Sequence, residues 1–259
     1  MDRNTAEAFI DALGAASGLV AVVGAGGKKS TLYRLLEAHR AIGTRRVLLT
    51  STVQIAAQPN ALDVETHIID GDDVEDAIAG ASGRAGAFFV TGPARKPGRF
   101  SGLPEHLIRP LHTGAAFGVG LVKADGARMR MIKAPGGNEP ALPDGVSTIL
   151  PIVSARAFGR PLTERMVHRP ECLASVINAD IGTEITPDHV ARLLASPEGS
   201  LRRTGNSQVV PVINMVDSPE RQTWAEEAAE RALSMTKRFE RVVLTSMTNP
   251  SPLVKVITG

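Results

Sequence analysis

The stretch Leu19–Leu32 constrains the fold of this chain more than any other. An apolar, mostly β-branched run, Leu19–Val23, enters Gly24, Ala25, Gly26 and Gly27. Lys28, Lys29, Ser30 and Thr31 follow, and leucines at helical spacing begin at Leu32. The order is strand, glycine loop, helix. Glycines let a backbone curl until its N–H groups point at an anion. The helix N-terminus adds partial positive charge, and a lysine neutralises phosphate oxygens. Against the phosphate-loop pattern G-x-x-x-x-G-K-[ST], Gly27 and Lys28 supply the G-K. Val22 stands at the first glycine and Lys29 at the magnesium-binding hydroxyl. An ammonium ion has no lone pair for a metal, so that role passes to Ser30 or Thr31 with a one-residue shift of register.

Strand and helix signals alternate around this loop. Thr5–Leu13 reads as a helix with Ala6, Phe9, Ile10 and Leu13 on one face. Ser30–Ile42 reads as the helix after the loop, ended by Gly43. Strands are expected at Val47–Thr50, Glu65–Asp70, Ala87–Thr91, Phe117–Ala124, Thr148–Val153, Val209–Met215, Arg241–Thr245 and, at an edge, Leu253–Ile257. Helices are expected from a cap at Asp72 through Ala79, from Pro104 to His112 and from Pro219 to Arg238. The basic, Gly- and Pro-rich segment Gly92–Gly102 reads as a mobile surface loop. Between Ala155 and Asn206 helical signals dominate, at Pro170–Ile177 and Thr186–Leu194. The pattern predicts an α/β chain with a doubly wound, mostly parallel sheet of the P-loop NTPase kind. Residues 1–154 and 207–259 form that domain, and 155–206 form a helical insertion or subdomain.

Composition narrows the function. The 259 residues carry a formal charge of only +2, and 3% are aromatic. Short basic clusters such as Arg45-Arg46 and Arg95–Arg99 are no nucleic-acid arm, and aromatics are too few for a base-stacking platform. The single cysteine, Cys172, excludes an intrachain disulfide, points to a reducing compartment and reads as a small buried side chain. Met1–Asn4 lacks the basic start and apolar core of a signal peptide, and no apolar run is long enough to span a bilayer. The expectation is a cytoplasmic protein with neither nucleic acid nor membrane as partner.

Three further motifs bear on chemistry. Asp125 follows the apolar run Val119–Val122 and matches the second NTPase motif, in which a carboxylate places the metal or its water. Asn214 and Asp217 match the N-K-x-D element of GTP-binding proteins, with Met215 in the lysine position. Its aspartate accepts hydrogen bonds from guanine. The alternative is a turn in which Asp217 or Ser218 merely caps the helix at Pro219. Arg128, Lys133, Glu139, His168 and Arg169 are polar residues in Gly- and Pro-rich surroundings, where loops carry function. His168 belongs to no metal-spaced cluster and pairs with no nucleophile signature, and a lone loop histidine is more often structural.

Several segments together resemble one family, the selenium-dependent hydroxylase accessory proteins (YqeC-like), P-loop NTPases associated with molybdenum hydroxylases. The resemblance runs through Gly24–Lys28, the hydroxyls Thr50–Thr52, Ser101–Pro104, Ala124–Ala127, Lys133–Pro135, Glu139-Pro140, His168–Glu171, and Asn214 with Asp217. It departs at Lys29, Lys123 and Met215, where the family carries threonine, glutamate and lysine. It implies a nucleotide-binding accessory role in maturation of a molybdenum-cofactor enzyme, with that enzyme or its cofactor as partner.

The combined expectation is a slow NTPase binding GTP or ATP, with magnesium. Gly24, Ala25, Gly26, Gly27, Lys28, Lys29, Ser30 and Thr31 hold phosphates, and Lys28 and Asp125 are the catalytic pair. Ser30 and Asp125 are the metal ligands, and Asn214 and Asp217 choose the base. Thr52, Arg128, Lys133, Glu139, His168 and Arg169 face a second ligand or client. Two alternatives stand beside it. One is a non-hydrolysing chaperone for a phospholigand or cofactor, in which Lys29 and Lys123 replace magnesium. The other is a small-molecule kinase in which Arg95–Arg99 closes over the donor.

Overall fold

The computed structural model describes residues 1–71 and 73–259. Helix α1 (Arg3–Leu13) buries Ala6, Phe9, Ile10 and Leu13, and Gly14 in the left-handed region ends it. Strand β1 (Gly18–Gly24) runs into the glycine loop. Its side chains alternate with the two-residue strand period, so Val20 and Val22 enter one apolar cluster and Leu19, Ala21 and Val23 another. Both faces of β1 are therefore covered, as the unbroken apolar run requires.

Next come α2 (Lys28–Ile42), β2 (Arg46–Ser51), β3 (Ile55–Ala56), β4 (Glu65–Ile68), α3 (Glu75–Ala81) and β5 (Gly86–Thr91). After them follow β6 (Ala94–Lys96), β7 (Arg99–Phe100), α4 (Glu105–Gly114), β8 (Val119–Lys123), β9 (Ile132–Lys133) and β10 (Val146–Ser154). The chain ends with β11 (Val167–His168), α5 (Pro170–Ile177), α6 (Pro187–Ala195), β12 (Gln208–Val209), β13 (Val212–Asn214), α7 (Pro219–Met235), β14 (Arg241–Thr245) and β15 (Leu253–Thr258).

The main sheet runs β15-β14-β13-β10-β1-β8-β2-β5-β4, with β12 also on β10, and every pairing is parallel except that of β14 with β15. Helices α1 and α2 cover one face. On the other face lie α3 and α4 beside β5 and β8, and α5, α6 and α7 beside β13 and β14. This is a doubly wound α/β fold, as the alternating pattern predicts. The loop-bearing strand sits near the middle of the sheet, with β8 on one side and β10 on the other. At such a place ligands meet the carboxyl ends of strands. Helix α2 is pinned there by Leu32, Leu35 and Leu36, all fully buried. At about 1.5–3 kcal/mol each, they fix where its N-terminus points.

Several boundaries differ from expectation. Helix α2 starts at Lys28, not Ser30, because Gly26 and Gly27 complete the turn (φ 89° and 130°) and Lys28 is already helical. The strand expected at Val209–Met215 is interrupted at Pro211, which has no N–H to give the ladder. The segment Gly92–Gly102 is not an irregular loop: β6 and β7 form an antiparallel hairpin, and β3 extends it to three strands. The cap expected at Asp72 lies outside the described residues. Cys172 is half-buried rather than buried. Residues 155–206 carry α5, α6 and β11, and their apolar side chains share one cluster with β13, β14 and α7.

Candidate functional site

The glycine loop is wedged between the ends of β10 and β13. A Cβ on Gly26 would lie 2.6 Å from the Met131 carbonyl oxygen and 2.4 Å from the Ser154 Cβ; one on Gly27 would lie 2.1 Å from Asn214 Nδ2. Close approach as well as positive φ therefore demands glycine at both positions. The loop's hydrogen bonds divide sharply. Gly24 N–H donates to Asp125 Oδ2 (2.8 Å) and Ala25 N–H to the Ile152 carbonyl (2.8 Å). The next intraloop bond is Thr31 N–H to the Gly27 carbonyl (2.9 Å). Among the described residues, the N–H groups of Gly26, Gly27, Lys28, Lys29 and Ser30 have no protein acceptor, and no side chain caps α2. A run of unmatched donors at the start of a 15-residue helix is an anion-binding arrangement.

Behind the loop lies a buried chain of alternating charges. Strand β8 adjoins β1, and this places Asp125 directly under Gly24. Its Oδ1 is 2.8 Å from Lys28 Nζ and its Oδ2 is 3.0 Å from Lys133 Nζ. Lys133 also donates to the Gly126 carbonyl (2.8 Å) and Glu139 Oε2 (2.7 Å), so its ammonium lies among three oxygen atoms. Glu139 in turn pairs with Arg169 and accepts from Gly136 N–H (3.1 Å). Lys28 Nζ also donates to the Gly24 carbonyl. Lys28, Asp125 and Lys133 are all buried, and removing one partner of such a pair costs about 3–5 kcal/mol. Burial pulls the Lys28 pKa down, opposed by Asp125. Burial would raise Glu139, but Lys133, Gly136 N–H and Arg169 outweigh it and hold its pKa at about 2. Lys123, also buried, donates to the carbonyls of Asp125 (2.8 Å) and Gln54 (3.3 Å). Burial and the neighbouring charge of Lys28 bring its pKa down to about 7.

On the other side of the loop, Asn214 is buried and bonded twice. Its Nδ2 donates to the Gly26 carbonyl (2.9 Å) and its Oδ1 accepts from Thr245 Oγ1 (3.1 Å). Asn214 thus ties the glycine loop to the end of β14. Asp217 lies just beyond it. Its Oδ1 accepts from Ser246 Oγ (2.7 Å) and its Oδ2 from Arg156 (2.9 Å). Burial works to raise its pKa, but Ser246 and Arg156 outweigh that, so the carboxylate stays ionised. Ser218, not Asp217, caps α7, accepting from Arg221 N–H (3.3 Å). Capping therefore does not account for Asp217.

The remaining predicted residues fall in different places. Lys29 and Ser30 are exposed in the first turn of α2, whereas Thr31 is fully buried and donates to the Gly27 carbonyl (3.1 Å). Thr52 donates to the Ala141 carbonyl (2.7 Å). Arg128 is exposed on a turn beyond Asp125. His168 pairs in register with Lys133 across β11 and β9, and burial and the charges of Lys133 and Arg169 lower its pKa. Lys133, Glu139 and Arg169 join the charge chain; Thr52 and Arg128 do not. Sequence reasoning missed Ser154, Thr245, Ser246 and Arg156. The first three are hydroxyls at the carboxyl ends of β10 and β14, a placement that could have flagged them.

These residues do not form a magnesium donor set. Both oxygens of Asp125 face ammonium groups. Lys29 follows Lys28 where a hydroxyl belongs, and Thr31 is fully buried with its hydroxyl turned back to the Gly27 carbonyl. Ser30, one residue further on, is turned by about 100° around the helix axis.

Comparison with known proteins assigns a family. The family model described as YqeC protein matches residues 20–171, from the glycine-loop strand through Asp125, Lys133, Glu139 and Arg169. The chain belongs to the YqeC family. A protein of Escherichia coli (strain K12) titled "Uncharacterized protein YqeC" is 26% identical over 184 residues, covering 71% of this chain and 70% of that one. The family match stops short of Asn214 and Asp217. No helix among the described residues is long and apolar enough to cross a membrane.

Proposed function

We propose that this YqeC-family chain binds a nucleoside triphosphate, with guanine preferred over adenine, and hydrolyses it slowly. The observation that carries the reading is the run of unmatched N–H groups from Gly26 to Ser30 beside the buried ammonium of Lys28. Phosphates lie on those amides, and Lys28 leaves the Gly24 carbonyl to meet them. Asp217, ionised and held by Ser246, offers Oδ2 to guanine's N1–H and exocyclic amine once Arg156 moves aside. Adenine presents an acceptor at N1 and loses that pairing. Catalysis is positioning and charge stabilisation by Lys28 and the loop amides. The family resemblance supplies the setting: an accessory factor in maturation of a molybdenum-cofactor enzyme of the selenium-dependent hydroxylase type, working in the cytoplasm.

A panel of GTP, ATP and CTP read by thermal unfolding tests this. A ligand that binds only the folded state stabilises it by about 2.7 kcal/mol at a hundred times its Kd. GTP is expected to raise the unfolding temperature most. A larger shift with ATP removes the role given to Asp217, and no shift with any triphosphate removes the nucleotide reading. A second reading, a non-hydrolysing carrier of a phosphorylated ligand, is favoured by one observation: Asp125 already has an ammonium at each oxygen.

A further inference from the structure

The charge chain behind the loop contains more cation than a metal-dependent site needs. Lys28, Lys133 and Arg169 face only two carboxylates, Asp125 and Glu139. One positive charge is thus in excess before Lys29 and Lys123 are counted. Lys133 is the pivotal member. It is almost wholly buried and sits on Asp125 Oδ2 at 3.0 Å, with Glu139 at 2.7 Å and the Gly126 carbonyl at 2.8 Å completing its shell. These are three oxygen acceptors, two of them anionic, converging on one fixed cation. That is the ligand chemistry a hard divalent ion would seek, already satisfied by an ammonium.

We infer that Lys133 is the resident cation of this site, so that the chain takes its phosphate-bearing ligand as the metal-free anion. The inference rests on the phosphate-binding reading of the Gly24–Ser30 loop and names the form of ligand that loop accepts. A magnesium ion entering beside Asp125 must displace Lys28 or Lys133 from a carboxylate oxygen, and it adds two charges to a buried array already positive. A free phosphate instead neutralises the excess. Lys28, hydrogen-bonded to a neutral carbonyl and paired by charge with Asp125, is free to turn to the ligand, while Lys133 stays on the carboxylates. Lys29, exposed in the first turn of α2, supplies further charge where phosphate-loop proteins carry a hydroxyl.

Isothermal titration of the full chain with GTP and with inorganic pyrophosphate, each in excess EDTA and in excess magnesium chloride, tests this. The expected result is a Kd in EDTA within about threefold of that in magnesium. Tightening by tenfold or more in magnesium overturns the inference while leaving the nucleotide reading intact. Pyrophosphate binding in EDTA without GTP binding supports it and removes the guanine assignment instead. No binding of either probe in either buffer overturns both. In the variant Lys133→Met, metal-free affinity is expected to fall at least tenfold and magnesium to restore part of it. If that variant does not fold by circular dichroism, the wild-type comparison decides alone.

Discussion

The substitution Gly26→Ala separates backbone conformation from close packing in the loop. Gly26 has φ +89°, where an L-residue pays about 1–2 kcal/mol. Its added Cβ would also meet the Met131 carbonyl oxygen at 2.6 Å, Ser154 N at 2.7 Å and Ser154 Cβ at 2.4 Å. Two of these are backbone atoms of neighbouring segments and cannot swing away. Forcing them apart costs about 1–3 kcal/mol more, for a total of about 2–5 kcal/mol. The control is Gly43→Ala at the end of α2. Gly43 has nearly the same φ, +84°, and nothing within 4 Å of the new Cβ, so only the conformational cost of about 1–2 kcal/mol applies. Urea unfolding followed by circular dichroism, fitted with a common m-value, gives both numbers. The clash is the difference between the variants, about 1–3 kcal/mol. If Gly26→Ala is no less stable than Gly43→Ala, the loop is not wedged against β10 as described, and its amides are not held in place by that contact.

Other outcomes follow from the same geometry. Asp217→Asn is expected to weaken GTP about 10–100-fold, the worth of a charged hydrogen bond, with ATP unchanged in parallel titrations. Equal losses for both nucleotides would place Asp217 outside base recognition. Lys123 has a folded pKa of about 7 against an ordinary lysine value of 10.5. The unfolded chain therefore binds the extra proton between those values, and stability rises with pH across that window. Lys28, Lys29 and Lys133 face it with Asp125, so phosphate affinity is expected to weaken as pH rises through 7. Lys123→Met should flatten both profiles. Glu139 has the same sign in a lower window: a pKa of about 2 against 4.5 gives stability that is full above 4.5 and lost as pH falls toward 2, and Glu139→Gln should remove that slope from an acid-unfolding series.

Much of this was legible in the sequence, for local reasons. An apolar run of strand length leading into Gly24–Gly27 and a leucine-spaced helix leaves few folds, and Asp125 and Asn214 announce themselves as polar residues at strand ends. What could not be read depends on distant contacts. Arg156 meets Asp217 across 61 positions of sequence, and nothing near either residue signals it. Lys133 is the exception: Asp125, Gly126 and Glu139 lie within eight positions of it, but irregular backbone with no period to follow brings them together, so it read as one more loop cation. The hairpin at β6 and β7 was hidden by its own prolines. Yet Pro97-Gly98, with Gly98 at φ 68°, is the turn joining the two strands, and that dipeptide is a turn signal as much as a breaker. Pro211 did the reverse, dividing a strand that its apolar neighbours made look continuous.

The central claim is that phosphate sits on the amides of Gly26, Gly27, Lys28, Lys29 and Ser30. Amide nitrogen–proton correlation spectra of the isotope-labelled chain, recorded while GTP is added without metal, observe those groups one by one. These five resonances are expected to shift in proportion to bound ligand, while amides of β15 at the far edge of the sheet stay in place. Ligand binding that moves other amides and leaves all five unchanged would contradict the claim.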